Sequence, residues 1–320
     1  MVAVAGVIIL ALGIALIKKA PPAHTIVMET AHLPSVVPHE HRLGEAVEDA
    51  GHHEYMLSPL FVAPEDMWIS KLEFKIYNAP ETLVHHASLL NWDERHQTCS
   101  SLPFKQLFIL AQDTMHHPFM EFPEGSGIFV RKGQHLQLSV MIHNPGPPIG
   151  PGGIYNDVYG QLTLTMLAHS PQQPPKEIHP YLLHLDDNPC VIQEQDQSDA
   201  YVFSVPARRS AYAFSGSSSP FNPGEYTFQS TSTVVYIGAH LHGWQGGKQL
   251  IVEKNGSALL TFDTAHALDD SYRYDTPYYP TSLEMKPGDR LKIRALYANP
   301  SPIATRGVMG DLGIYFFEHE

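Results

Sequence analysis

The sequence predicts an all-β protein, with two tandem jelly-roll-like β-sandwich domains preceded by one N-terminal transmembrane helix. Three observations carry this expectation. Residues Met1 to Ile17 (MVAVAGVIILALGIALI) are apolar and uncharged. From Tyr55 onward, short segments alternate apolar and polar residues between turn-forming clusters, which is the period of half-buried strands. The second half of the chain also repeats the first. Gly133 to Pro145 (GQHLQLSVMIHNP) aligns without a gap against Gly288 to Pro300 (GDRLKIRALYANP), and Gly160 to Met166 (GQLTLTM) against Gly310 to Phe316 (GDLGIYF). Such internal similarity reads as two copies of one sandwich.

The N-terminal run is followed by Lys18 and Lys19. Its length suits the short end of a membrane span and also a signal-peptide core. No basic segment precedes it and no AxA-type cleavage site follows, so an uncleaved anchor over residues 1–19 is expected. Residues 20–54 are rich in Pro, His and Glu with little periodicity, and are expected to form an extended tether. The first sandwich should span residues 55–171, with strands in MWISKLEFKIYN, TLVHHASLLNW, HLQLSVMIH and YGQLTLTML. Gln172 to Lys176 (QQPPK) reads as a linker, and the second sandwich should span residues 172–320.

Composition excludes some functions. The chain has 320 residues, a formal net charge of −13 and only 20 Lys plus Arg, so electrostatic nucleic-acid binding is not expected. Two cysteines, Cys99 and Cys190, are too few for a disulfide framework and leave one bond or two free thiols open. Histidine is abundant, at 20 residues, and most of it lies in polar, loop-like sequence such as His52–His53 and His116–His117. Five histidines stand out because strand-like sequence holds them. His240 and His242 lie two apart after TVVYI, so a strand running through them points both rings the same way. His85 and His86 are adjacent, and adjacent strand residues reach one ion only at a strand end or bulge; otherwise they read as one core and one surface histidine. His143 ends an apolar strand, and Met309 precedes the C-terminal strand-like run, where a methionine also reads as core filler. Imidazole together with a thioether favours copper over zinc or magnesium.

The order HH-SLL, LQLSVMIH, HLHGWQGGK and a methionine before the last strand resembles the copper type II, ascorbate-dependent monooxygenases, the family of peptidylglycine hydroxylating and dopamine β-monooxygenases. The resemblance runs from about Leu57 to Glu320 and is densest from Tyr236 onward. It implies two copper ions. One would be held by His85, His86 and His143 and pass electrons. The other, held by His240, His242 and Met309, would be the catalytic ion that binds oxygen. Ascorbate or another one-electron donor would supply the electrons. The family works in secretory or extracytoplasmic space, which implies a single-pass membrane protein with extracytoplasmic (periplasmic or extracellular) domains, against the modest inward bias of Lys18 and Lys19.

The substrate positions depart from the amidating members. Their arginine, asparagine and tyrosine for a peptide carboxylate are replaced by Gly238, Asp311 and Gly313, and a glutamine is replaced by Met141. Peptide amidation is therefore disfavoured, because a carboxylate would meet no positive charge. The leading expectation is a monooxygenase acting on a small or amphipathic substrate. The alternative is a non-catalytic docking subunit that associates with other membrane-protein subunits. Copper storage is weaker, since no further Met and His cluster beyond the six ligands.

Overall fold

The computed structural model describes residues 24–36, 53–95, 103–111, 119–143, 154–168, 174–185, 203–215, 224–241, 246–263, 279–308 and 310–319. Among them are 23 strands and one short 3-10 turn, and no helix is long and apolar enough to cross a membrane. The expected transmembrane helix over residues 1–19 lies outside the described residues.

The strands form two sandwiches. One sheet of the first runs β1 (Thr25–Glu29), β11 (Tyr155–Met166), β5 (Met67–Tyr77), β9 (Ser126–Val130) and β12 (Lys176–Glu177). To it β2 (Leu33–Val36) adds on β11 and β8 (Phe119–Glu121) on β5. The facing sheet runs β3 (His53–Leu57), β10 (His135–His143), β6 (Val84–Asn91) and β7 (Lys105–Ala111), with β4 (Phe61–Val62) on β10. In the second sandwich one sheet runs β13 (His179–His184), β23 (Gly310–Glu318), β17 (Ser232–Leu241) and β20 (Tyr279–Met285). The other runs β15 (Arg209–Phe214), β21 (Arg290–Asn299), β18 (Gly247–Lys254) and β19 (Ser257–Asp263), with β16 (Glu225–Thr227) on β21. A ribbon of β14 (Phe203–Val205) and β22 (Thr305–Val308) accompanies it.

The sequence repeat holds in three dimensions. The strands aligned by sequence, β10 with β21 and β11 with β23, occupy the same places in their sheets, and the two four-strand orders of the second sandwich map onto β1-β11-β5-β9 and β3-β10-β6-β7 of the first. Hydrogen bonds repeat as well. Ala63 N donates to Gln134 O and Gly133 N to Ala63 O at 2.9 and 2.8 Å, while Phe228 N donates to Asp289 O and Gly288 N to Phe228 O at 2.9 and 2.8 Å. Gly133 and Gly288 carry the same left-handed backbone, φ 86° and 88°. In both turns a side chain accepts from the residue three before it, Gln134 from Arg131 N and Asp289 from Lys286 N. The Lys286 amide and then Asn255 hold the Asp289 carboxyl down to about 2.

Alternation places the cores. In β21 (RLKIRALYAN) every second residue is buried, and Leu291, Ile293, Ala295 and Tyr297 face the second core. Each such side chain contributes about 1.5–3 kcal/mol by leaving water. Strands β17 and β23 break the rule, being buried at nearly every position. The reason is that both of their faces are covered. Val234, Ile237, Ala239 and Leu241 join the second core, whereas Val235, Tyr236, Tyr315 and Phe317 pack into the core of the first sandwich. Polar tips secure this seam: Tyr236 Oη donates to Glu121 O at 2.7 Å, and Ile109 N donates to Tyr315 Oη at 3.4 Å. Burial raises the Tyr236 phenol above its ordinary pKa.

Two expected boundaries change. Part of the 20–54 tether is folded: Thr25–Glu29 pairs antiparallel with β11, and β2 continues along the same strand. The edge of β11 supplies the backbone partners, and Met28 and Val36 supply core contacts that aperiodic sequence concealed. Pro34, which has no amide to donate, falls between Leu33 and Ser35, whose partners on β11 are Val158 and Asn156. At the other end, Lys176–Glu177 pairs with β9, so the linker segment still belongs to the first sandwich, and the second begins with β13.

The turn between β1 and β2 is fastened by His32. Its Nδ1 lies 2.7 Å from Asp157 Oδ1 and its Nε2 3.3 Å from Glu29 Oε1, and the ring stacks on Tyr159 at 4.1 Å. The hydrogen bond to Asp157, and then that to Glu29, raise the His32 pKa above 6.5. A raised folded pKa means that the contribution is complete below the unfolded value and is lost as pH rises through the folded one. Thermal melts should therefore show His32→Gln destabilised at pH 5.5 and nearly indistinguishable from the parent at pH 9. A pH-independent difference would contradict the clamp.

Gly246, at φ 94°, lies where an added Cβ would collide with the carbonyl oxygen of Ala298, whereas Gly256, at φ 83°, has open space around it. Urea unfolding should show Gly246→Ala losing about 2–4 kcal/mol and Gly256→Ala about 1–2 kcal/mol, the latter from backbone strain alone.

Candidate metal centre

The site begins with a defect in a strand. After the turn Glu81–Leu83, β6 enters the sheet beside β10, with Ala87 opposite Val140, His86 opposite Met141, and then Val84 opposite Ile142. The register skips His85. Such a bulge lifts the strict alternation of faces, so that neighbouring side chains turn to the same side. The His85 and His86 rings stack at 4.1 Å between centroids, 29° apart. This meets the condition on which two adjacent histidines reach one ion.

The third ring comes from the other sandwich. On β17, Tyr236, Gly238 and His240 share the face turned toward the first sandwich, because Ile237, Ala239 and Leu241 are committed to the second core. Gly238 stands opposite Gly313 across β17 and β23, so that row carries no side chains beyond hydrogen. His240 meets His85 and His86 edge-on, with centroids at 5.2 and 4.7 Å and interplanar angles of 71° and 79°. One ring nitrogen from each of the three residues lies within 4.8 Å of the others.

Burial and donor chemistry both bear on a metal. His85 is 2% exposed and His240 6%. His85 Nδ1, His86 Nε2 and His240 Nε2 are all sealed from solvent. Neutral imidazole is a ligand suited to copper or zinc, and three of them bring no charge of their own. Metal–nitrogen bonds of about 2.0–2.1 Å require ligand nitrogens about 3.3–3.6 Å apart, so the rings need move only slightly to close on one ion. The residues present fit such a group.

The structure regroups the expected ligand sets. His85 and His86 are together, but His240, expected in a separate site of the second sandwich, joins them. The cause is the docking of β17 against the first sandwich, which no local pattern encodes. His143 is the last residue of β10, two beyond the partner of His86, and its side chain lies outside the described residues. His242, Met309, Cys99 and Cys190 also lie outside them.

Sequence reasoning missed His184. It ends β13 opposite Asp311, and its Nδ1 lies 2.9 Å from Asp311 Oδ1 with both side chains buried. A signal was present, since HPYLLH is an apolar strand closed by a histidine, the same feature that singled out His143. Asp311, at one of the positions expected to face the substrate, is engaged with this histidine.

No family model matches the sequence, and no curated protein matches it. Among solved structures, the major capsid protein P2 of bacteriophage PM2 is similar over 93% of this chain and 98% of its own, with 7% identity and a TM-score of 0.37. A peptide-N(4)-(N-acetyl-β-D-glucosaminyl) asparagine amidase is similar over 93% and 97%, with 9% identity and a TM-score of 0.38. The structure of Sulfolobus turreted icosahedral virus contains a chain similar over 84% and 91%, with 11% identity and a TM-score of 0.33. Likeness at this level places the chain in no family.

Proposed function

We propose that this chain is a copper protein of the monooxygenase type, with one copper ion held between its two sandwiches by His85, His86 and His240. The observation that carries the reading is the meeting of these three imidazoles, two buried and that of His86 half-buried, across the seam. Copper bound there supplies one-electron redox chemistry and activation of dioxygen. The chain's own part is to hold and to exclude. The bulge at His85 presents two rings, β17 presents the third, and the apolar seam of Val235, Tyr236, Tyr315 and Phe317 keeps bulk water away. His143, His242 and Met309 remain the candidates for a second copper ion.

The fuller form of this proposal is a membrane-anchored, extracytoplasmic enzyme with jelly-roll-like domains. It hydroxylates a small or amphipathic substrate with dioxygen and a one-electron donor such as ascorbate. Asp311 and the side-chain-free Gly238 and Gly313 argue against a peptide carboxylate as substrate. A second reading, a docking subunit without turnover, is favoured by one observation. Tyr55, Leu57, Leu60 and Val62 are all exposed along β3 and β4, an apolar margin suited to a partner protein. Reductant-dependent oxygen uptake would decide for the enzyme; its absence in copper-loaded protein, with firm co-extraction of other membrane proteins, would decide for the subunit.

Copper titration tests the shared site. His85→Ala and His240→Ala should each remove the same ion, lowering its affinity by more than about 100-fold, since two imidazoles are a poor site for it. If the two variants lose different ions, the shared arrangement fails and the separate allotment stands. If the parent binds no copper, the metal reading fails.

A further inference from the structure

A second buried polar group, the pair His184 and Asp311, lies in the same strand row as His240. On the face that the second sandwich turns toward the first, His184 of β13, Asp311 of β23 and His240 of β17 stand in one row. Asp311 is the register partner of His184 on one side and of His240 on the other. Such cross-strand partners bring their Cβ atoms to about 4.5–5.5 Å. His184 and Asp311 are 2.9 Å apart between Nδ1 and Oδ1, and their side chains are 1% and 6% exposed.

The internal repeat shows how unusual this row is. With Gly160 aligned to Gly310, the matching positions of the first sandwich are Glu29, Gln161 and Lys75, which are also register partners across three strands. There the row is a solvated surface, with Glu29 and Lys75 exposed. In the second sandwich the same positions are sealed beneath the seam. Burying a carboxylate is costly unless its oxygens are satisfied, and apolar residues of similar size commonly fill such positions as well or better. The pair therefore needs a reason beyond stability. A carboxylate has two oxygens and about four lone-pair directions, and Oδ1 is directed to His184. Its other neighbour in the row is the histidine that completes the metal centre.

We propose that Asp311, held in place by His184, is a positioning residue for His240, fixing the tautomer and orientation of the ring so that one nitrogen faces His85 and His86. Histidines that bind metals commonly give their other ring nitrogen to such an acceptor, and loss of that partner typically costs about 10–100-fold in metal affinity. The purpose rests on the copper reading. The orientation itself is a property of the metal-free chain and can be measured there.

The experiment uses full-length protein with 15N-labelled histidine rings, the His240 signals being identified by their loss in His240→Gln. In metal-free parent protein His240 should show a single tautomer. Asp311→Leu, which fills the space without an acceptor, should give averaged tautomers, and Asp311→Asn, which keeps an oxygen, should restore the single one. Should Asp311→Leu fail to fold, His184→Gln, which loosens Asp311 without removing it, should give the same averaging in part. An unchanged His240 tautomer in Asp311→Leu, or in His184→Gln where that variant stands in, overturns the proposal. Copper(II) affinity should fall about 10–100-fold in Asp311→Leu with altered EPR hyperfine coupling, and recover in Asp311→Asn. Unaltered affinity and spectrum also overturn it. A parent that binds no copper sinks the copper reading alone, because the tautomer measurement still decides the positioning.

Discussion

The structure depends on one packing event, the closure of the first sandwich by a sheet of the second. Val235, Tyr236, Tyr315 and Phe317 belong by sequence to the second half of the chain and by burial to the core of the first. Removing a face of this kind from water is worth far more than any single hydrogen bond in the seam. The tyrosine hydroxyls contribute direction instead. Tyr236 Oη both donates to Glu121 O and accepts from Glu121 N, which fixes the seam laterally while the apolar rings hold it closed. Because β17 is locked there, the His240 ring is presented to His85 and His86 of the first sandwich.

The same packing explains why two copies of one scaffold behave differently. Corresponding strands keep their order, their turns and their positive-φ glycines, so backbone demands are met alike in both. Side chains diverge where the environment does. The outer face of β11 and β5 meets solvent and carries Glu29, Gln161 and Lys75, whereas the outer face of β23 and β17 meets the first sandwich and carries His184, Asp311 and His240. Only in the second setting is a polar row shielded enough for imidazoles and a carboxylate to act strongly on one another.

The proposed function rests on a cluster of three imidazoles, His86 half-buried and the other two buried, assembled from a bulge in one sandwich and a doubly covered strand in the other. Rings from different sandwiches couple this cluster to the seam, so anything that loosens the docking of β17 also loosens the cluster. The charge balance is also informative. The neighbouring Asp311 carboxylate is engaged by His184, and the Lys176 ammonium lies 4.6 Å over the Phe317 ring of the same face.

Much was legible in the sequence because it depends on local pattern. Alternation in MWISKLEFKIYN and RLKIRALYAN located strands, the gapless alignment of GQHLQLSVMIHNP with GDRLKIRALYANP revealed the repeated scaffold, and the adjacent His85 and His86 posed the question that the bulge answers. Strands β1 and β2 were not legible, since proline-rich edge segments take their hydrogen bonds from a neighbour and need little periodicity of their own. Nor was the pairing of His184 with Asp311, which lie far apart in the chain and meet only as sheet neighbours. The sequence by itself determined an all-β chain, its internal repeat and its candidate histidines, because strand period and turn chemistry act over a few residues. Tertiary structure alone decided which of the described histidines come together, because that follows from how a whole sheet face docks, and docking sums many apolar contacts that no short motif contains.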